Sequence, residues 1–337
     1  MAFVYPDRLP FGRAVPPSVF EERRRALAAR LVRAGFASAL VTGRYDEYGD
    51  LAYLTNHVPP YGETAHLLLL HDARATLFAR SWREDLVCVD QVESPAALTP
   101  GPEPRAHLGL DRVRDHARLL ADRSVKHPAE VELLREAAAV SAIGLEAALA
   151  TVLPEATEKH VAAAAVAAAL RAGADECRCR VRLDRHPGPD GWPDATDRLL
   201  APMRPVAIEL TGAHQGYRFR TARTVVVGRA PGEEVLARFT VCAESMRAAL
   251  LPGVDAELAR RRLLELVVAA GLEADPDFGG GIGLDIVEPP LLQPGTSDRL
   301  ELGQTVCLRL CAGSMVHADM VLIQAAGAQR LSTLTPP

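Results

Sequence analysis

The stretch Val206–Gly228, VAIELTGAHQGYRFRTARTVVVG, concentrates charge in a segment whose other residues belong in a core. Ile208–Leu210 is extended and largely apolar, 212–216 (GAHQG) is turn chemistry with two glycines, and 224–228 (TVVVG) is a β-branched run. This reads as two strands joined by a tight turn. Glu209 lies in the first strand, and Arg218, Arg220 and Arg223 crowd the second. Charges in a buried strand are paired or serve a site. The hairpin is therefore expected to be the floor of a pocket. Further along, Cys307, Arg309 and Cys311 alternate on one face of an apolar strand, and His317 and Asp319 share a face of the next. A His–Asp couple can move a proton. A guanidinium beside Cys307 or Cys311 is expected to lower the thiol pKa and make it a nucleophile, the ordinary alternative being small core cysteines.

The elements around these residues follow from pattern. Ser18 and Glu21 have capping-box spacing for a helix reaching about Gly35, and residues 1–17 are a Pro-rich arm. Strands are expected at 37–42, 65–70, 75–80 and 85–90, so the first third is a small α/β unit. Residues 93–106, SPAALTPGPEPRAH, read as a surface loop or linker. Pro128 opens a long helix to about Leu153, Thr157 caps a second helix that ends at Gly173, and Asp255 caps a third that ends at Gly271. Residues 184–204 are loop-like around PGPDGWPD. Trp192 there is expected either to lid the pocket or to anchor its own loop. Strands at 304–313 and 318–327 complete an α+β domain.

Composition limits the possible functions. The chain has 337 residues, is 48% hydrophobic and 24% charged, and has a formal net charge of −5. That gives no electrostatic reason to expect nucleic acid or an anionic membrane as partner. No apolar run has the length of a membrane span, and no basic-then-apolar leader opens the sequence. Six cysteines without the two-residue gap of a zinc knuckle suit a reducing cytoplasm.

Four landmarks in order, SVKHPAEVELLREAA, GYRFRTARTVVVG, GGGIGLDIVEPP and the closing strands with LST after a glycine turn, resemble the pita-bread domain of creatinase, prolidase, aminopeptidase P and methionine aminopeptidase. Residues 20–120, with LAYLTNHVPPYG, are similar to the smaller N-terminal domain of the creatinase and prolidase branch. The resemblance implies an α/β domain over 1–122, a pita-bread domain over 123–337, and a homodimer. Active relatives hold two divalent metals with five side chains. In this sequence the matching positions are Glu209, Arg220, Gly280, Arg309 and Ala318. The family's histidines also fall on Val287 and near Trp192. The framework residues Tyr217, Arg223, Glu288 and Pro290 are kept, as is Asp319. Four of the five ligands are thus absent, two of them replaced by arginine, which stays protonated and cannot ligate. No metal and no other cofactor is expected.

The pocket is expected to bind a small anionic ligand, held bidentately by Arg220 and Arg309. Trp192, Tyr217, Arg223 and Glu288 would line or support it. His317, Asp319 and Glu209 are the candidates for any catalysis, which would be metal-independent cleavage or elimination at a C–N bond of a carboxylate-bearing amide, amino acid or peptide-like compound, since creatinase works without metal. Three alternatives stand beside this. Arg220 and Arg309 could simply neutralise Glu209 and plug a dead site. The chain could be a non-catalytic scaffold. Or Glu209, Glu288, His317 and Asp319 could form a divergent metal site.

Overall fold

The computed structural model describes residues 15–332 except 83, 85, 99–101, 104, 110–112, 184–193 and 229–232. Contacts divide the chain into two units, Met1–Arg123 and Ser124–Pro337.

In the first unit, the helix α1 (Pro17–Arg33) precedes β1 (Ser38–Arg44), α2 (Gly49–Thr55), β2 (Thr64–Leu70), β3 (Ala75–Phe78), β4 (Gln91–Glu93), β5 (Arg105–Gly109) and α3 (Val113–Ser124). The sheet order is β4-β3-β2-β1-β5, antiparallel at its centre and parallel at both edges. Ala39, Val41, Leu67, Leu69 and Leu77 alternate inward and pack with Leu27, Leu31, Leu51 and Leu54 of the helices. Two expectations fail here. Pro16, not Ser18, is the N-cap of α1, because Pro17 with its fixed φ occupies the first helical position; Glu21 pairs with Arg25 instead. The fourth strand is at 91–93 rather than 85–90, and the stretch read as a linker holds the last residue of β4 and the first two of β5.

The second unit runs α4 (Pro128–Ala150), α5 (Glu158–Arg171), β6 (Glu176–Leu183), β7 (Pro205–His214), β8 (Tyr217–Val226), α6 (Glu233–Ser245), α7 (Ala256–Ala269), β9 (Gly279–Gly281), β10 (Glu288–Leu291), β11 (Thr305–Ala312), β12 (Met315–Gln324) and β13 (Gly327–Arg330). Seven of these strands form one path, β10-β9-β11-β12-β8-β7-β6, with β13 on β12. The β7–β8 hairpin turns through Gln215 and Gly216, both at positive φ, so the strand continues through His214 and the turn has two residues. His214 is half-buried, with its Nδ1 2.6 Å from the Gly173 carbonyl oxygen.

Helices cover one face of this sheet. A Cβ on Gly144 of α4 would sit 2.7 Å from Leu210 of β7, and the Ser141 hydroxyl lies 2.6 Å from that of Thr221 on β8. Leu308 and Leu310 of β11 join a core with Phe239, Leu263 and Val267 of α6 and α7. In an antiparallel sheet, directly paired residues share a face and sequence neighbours do not. The helix-covered face is thus the face of Leu210, Thr221, Leu308 and Leu310. Glu209, Arg220 and Arg309 occupy the other. Among the described residues no helix is long and apolar enough to cross a membrane.

Candidate anion site

A single transverse row crosses five strands on the face away from the helices. Arg180 of β6 pairs with Glu209 of β7, Glu209 with Ala222 of β8, Ala222 with Ala318 of β12, and Ala318 with Arg309 of β11. Arg220, two residues before Ala222, belongs to the same face and leans diagonally onto Glu209. The distant sequence positions 209, 220, 309 and 318 are therefore neighbours in space. Gly280 lies one strand further, opposite Cys307.

Glu209 is 1% exposed. Arg220 directs Nε at 2.8 Å and Nη2 at 2.7 Å to the same oxygen, Oε1. Oε2 has no hydrogen-bond partner among the described residues; the Arg180 Nη1 is 3.6 Å from it. Burial alone would lower the Arg220 pKa, but the Glu209 carboxylate outweighs it and the net shift is upward. Arg309 is not drawn into this pair: its buried Nε has no hydrogen-bond partner among the described residues, nor has the Nε of Arg180. Ala222 and Ala318 between them are fully buried and contribute only methyl groups. Arg182, 1% exposed on the same face, has its pKa pushed down to about 10 by burial, with Arg309 adding repulsion and Glu209 and Cys311 opposing. Arg180 and Arg182 were missed in the sequence although ECRCRVRL (176–183) has a strict two-residue period. Its three arginines alternate with Cys, Cys, Val and Leu, which is the signal of a strand with one charged face.

The two thiols beside Arg309 do not become nucleophiles. Burial pushes Cys307 up to about 11, and Arg220 and Arg309 only partly offset it. Cys311 is also raised by burial, against the pull of Arg309. The expected depression is reversed because desolvation of a thiolate in this strand exceeds its attraction to the guanidinium groups.

His317 and Asp319 do form a couple, with Nε2 and Oδ2 3.0 Å apart, but on the helix-covered face, paired in register with Leu310 and Leu308. Strand alternation thus separates them from Glu209, Arg220 and Arg309. Asp319 accepts hydrogen bonds from Arg223 Nη2 at 2.7 Å and Arg330 Nε at 2.9 Å. Burial would raise its pKa, yet the bond to His317 and the two guanidinium groups hold it well below the carboxylate range. Arg223 also donates to the carbonyls of Ala222 and Ala318. It ties β8 to β12 and does not face the arginine row. Tyr217, on the same covered face, donates to Glu130 Oε1 at 2.9 Å and ties the hairpin to α4. Glu288 is buried against Lys126 Nζ at 2.5 Å; a Cβ on Gly283 would lie 2.7 Å from its carboxylate, so a larger residue there would displace the pair. Trp192 lies outside the described residues.

The four carboxylate and imidazole groups of the proposed divergent metal set are consequently not brought together. Glu244, His317 and Asp319 do gather, with ligand atoms within 4.8 Å of one another. Arg330 already bridges Asp319 and Glu244, and Arg223 takes the other Asp319 oxygen. Guanidinium groups thus supply the positive charge there. At the row itself the donor set also fails for two hard divalent cations: one carboxylate is present, and Arg220 already holds one of its two oxygens.

With this geometry in place, comparison with known proteins assigns the class. The profile described as "Metallopeptidase family M24" matches residues 132–325. The chain belongs to that family. Its structure is similar to the prolidase from Pyrococcus horikoshii OT3, with 17% identity, a TM-score of 0.77, and 94% of this chain and 99% of that one covered. It is similar also to the dipeptidase PepE from Mycobacterium ulcerans, with 24% identity, a TM-score of 0.71, and coverage of 95% and 97%. The X-Pro aminopeptidase from Thermotoga maritima MSB8 aligns at 16% identity with a TM-score of 0.76, covering 93% and 98%. These likenesses establish a shared fold. No curated protein matches the chain.

Proposed function

We propose that this M24 protein works without the family's metals and binds a small carboxylate-bearing amide, amino acid or peptide-like compound on its arginine face. One observation carries the reading. Arg220 holds Glu209 through a single oxygen, while Arg309, two strands beyond β8 on the same face, has a buried Nε without a hydrogen-bond partner among the described residues. Buried donors without partners are unfavourable until a ligand supplies the acceptor. The Glu209 Oε2 is a matching acceptor for an N–H group of that ligand. Any cleavage of a C–N bond at this face would use Glu209 as its proton acceptor, since His317 lies on the opposite face and Cys307 is held as a thiol. Binding of N-acetylglycine, followed by calorimetry in wild type and Arg309→Gln, tests the reading: loss of binding in the variant supports it, and absence of binding in both contradicts it.

The Glu209–Arg220 ion pair also favours a second reading, a pseudo-peptidase whose former metal site is closed by its own charges and which serves as a scaffold. It predicts no small-anion binding and retention of a protein partner by the Arg220→Ala variant. The six cysteines are free thiols, which supports a reducing cytoplasm as the compartment. The homodimer implied by the family resemblance is part of the same proposal, and light scattering of the purified chain decides it.

A further inference from the structure

We infer that the ligand of the arginine face carries two negative charges at the end it presents, as a phosphate monoester or a pair of carboxylates does. The inference rests on the anion-binding reading above and goes further by fixing the charge. Arg180, Arg220 and Arg309 stand in one row with Glu209; the further acid on this face, Glu176 of β6, is taken by Arg218, and Arg178 is taken by Asp194. Three guanidinium groups against one carboxylate leave a surplus of two positive charges, before Arg182 is counted. A monocarboxylate would leave that surplus half uncompensated. A dianion balances it.

The arrangement of free donors agrees with the charge count. The Arg220 fork is spent on Glu209, so the groups open to a ligand are those of Arg309 on β11 and Arg180 on β6. They stand at opposite ends of the five-strand row, with Glu209 next to Arg180 and the alanine methyls of positions 222 and 318 between Glu209 and Arg309. Four strand spacings separate their backbones by about 19 Å, and β8 and β12 contribute only methyl groups to the row. Two donors approaching from opposite ends suit a head with acceptor oxygens on both sides. That is the geometry of a phosphate or of two carboxylates on a short linker rather than of one planar carboxylate. The side chains of Arg180 and Arg220 are 25% and 21% exposed, so the row is reachable from solvent.

The test is calorimetric titration of the full-length protein with three probes: phenyl phosphate, malonate and the monoanion N-acetylglycine. The expected result is that at least one dianion binds about tenfold or more tighter than N-acetylglycine. Which dianion prevails distinguishes a phosphate source from a dicarboxylate one. Phenyl phosphate affinity should also rise as pH increases through its second ionisation near about 6. Arg309→Gln should remove the preference, bringing dianions and monoanion to similar affinity. If N-acetylglycine binds as tightly as both dianions, and Arg309→Gln weakens all three alike, the dianion inference fails while the anion site stands. If no probe binds the wild type, the anion site fails with it. Circular dichroism checks that Arg309→Gln folds; should it not, Arg180→Gln is titrated instead and must show the same loss of preference.

Discussion

Arg220 places Nε and Nη2 on one oxygen of Glu209, at 2.8 and 2.7 Å, and the other oxygen has no hydrogen bond among the described residues. In M24 relatives the resemblance puts metal-binding carboxylates at both positions. Here one of the two has become the counter-ion of the other. Removing the arginine takes both hydrogen bonds from a carboxylate that is 1% exposed and leaves it the looser contact with Arg180 at 3.6 Å. Arg220→Ala is expected to lower stability by about 2 kcal/mol, the cost of a buried acceptor that loses its donors. Glu209→Gln in that background should restore much of the loss. Urea unfolding of the two single variants and the double variant measures the coupling, and additive effects would show that the pair does not interact.

A thiol near guanidinium groups invites assignment as a nucleophile, and Cys307 shows why distance alone does not decide. Burial lifts it to about 11 despite Arg220 and Arg309. Native protein treated with iodoacetamide at about pH 8 should leave Cys307 and Cys311 unmodified, because the thiolate is the reactive form. Both should label after unfolding. Peptide mass spectrometry reads the result, and fast native labelling of Cys307 would return it to the list of catalytic candidates.

His57, in the first unit, provides a separate pH signature. It is 6% exposed, and burial lowers its pKa to about 4. Its folded pKa lies below the unfolded value near 6.5, so the folded state favours the neutral ring. The contribution is complete above the unfolded pKa and is lost as pH falls from about 6.5 toward 4. The loss amounts to at most about 3 kcal/mol. Thermal melts between pH 4 and 7 should show this slope in the wild type and a shallower one in His57→Asn. Equal slopes would place the acid sensitivity elsewhere.

Lys126 and Glu288 make a comparable pair where the family's glycine-rich segment meets β10. Both side chains are nearly inaccessible, and Nζ lies 2.5 Å from the carboxylate. Lys126→Met is expected to lower stability by about 3 kcal/mol by leaving Glu288 buried without its cation. Thermal unfolding measures it. A change below about 1 kcal/mol would mean that the remaining contacts of Glu288, such as the Asp285 N–H, satisfy it.

Much of the site was legible because strand alternation is a strong signal. The hairpin, the Cys307–Arg309–Cys311 face and the shared face of His317 and Asp319 could all be read from period two. What alternation within one strand does not give is which face of one strand meets which face of another. That depends on the pairing of Arg309 with Ala318, which sends Asp319 and His317 to the helices. The resemblance supplied this register in principle, since it matched Ala318 and not Asp319 to a metal ligand. Asp319 is adjacent to Ala318 in sequence, but adjacent residues of a strand face opposite sides, so the couple points away from the row. The strand β6 was lost for a different reason. Arginine at every second position lowers the apparent hydrophobicity of ECRCRVRL, although the intervening residues are apolar. In the first unit, β5 begins in the last two residues of a Pro-rich stretch that reads as a linker, and its pairing beside β1 makes it a strand.

The central claim is that guanidinium groups stand in for the metals and hold an anion. Anomalous diffraction from crystals grown with both manganese chloride and sodium selenate tests it most directly. The account predicts a selenium peak against Arg309 or Arg180 on the arginine row and no manganese peak at Glu209. A manganese peak on Glu209, with no selenium beside the arginines, would contradict it.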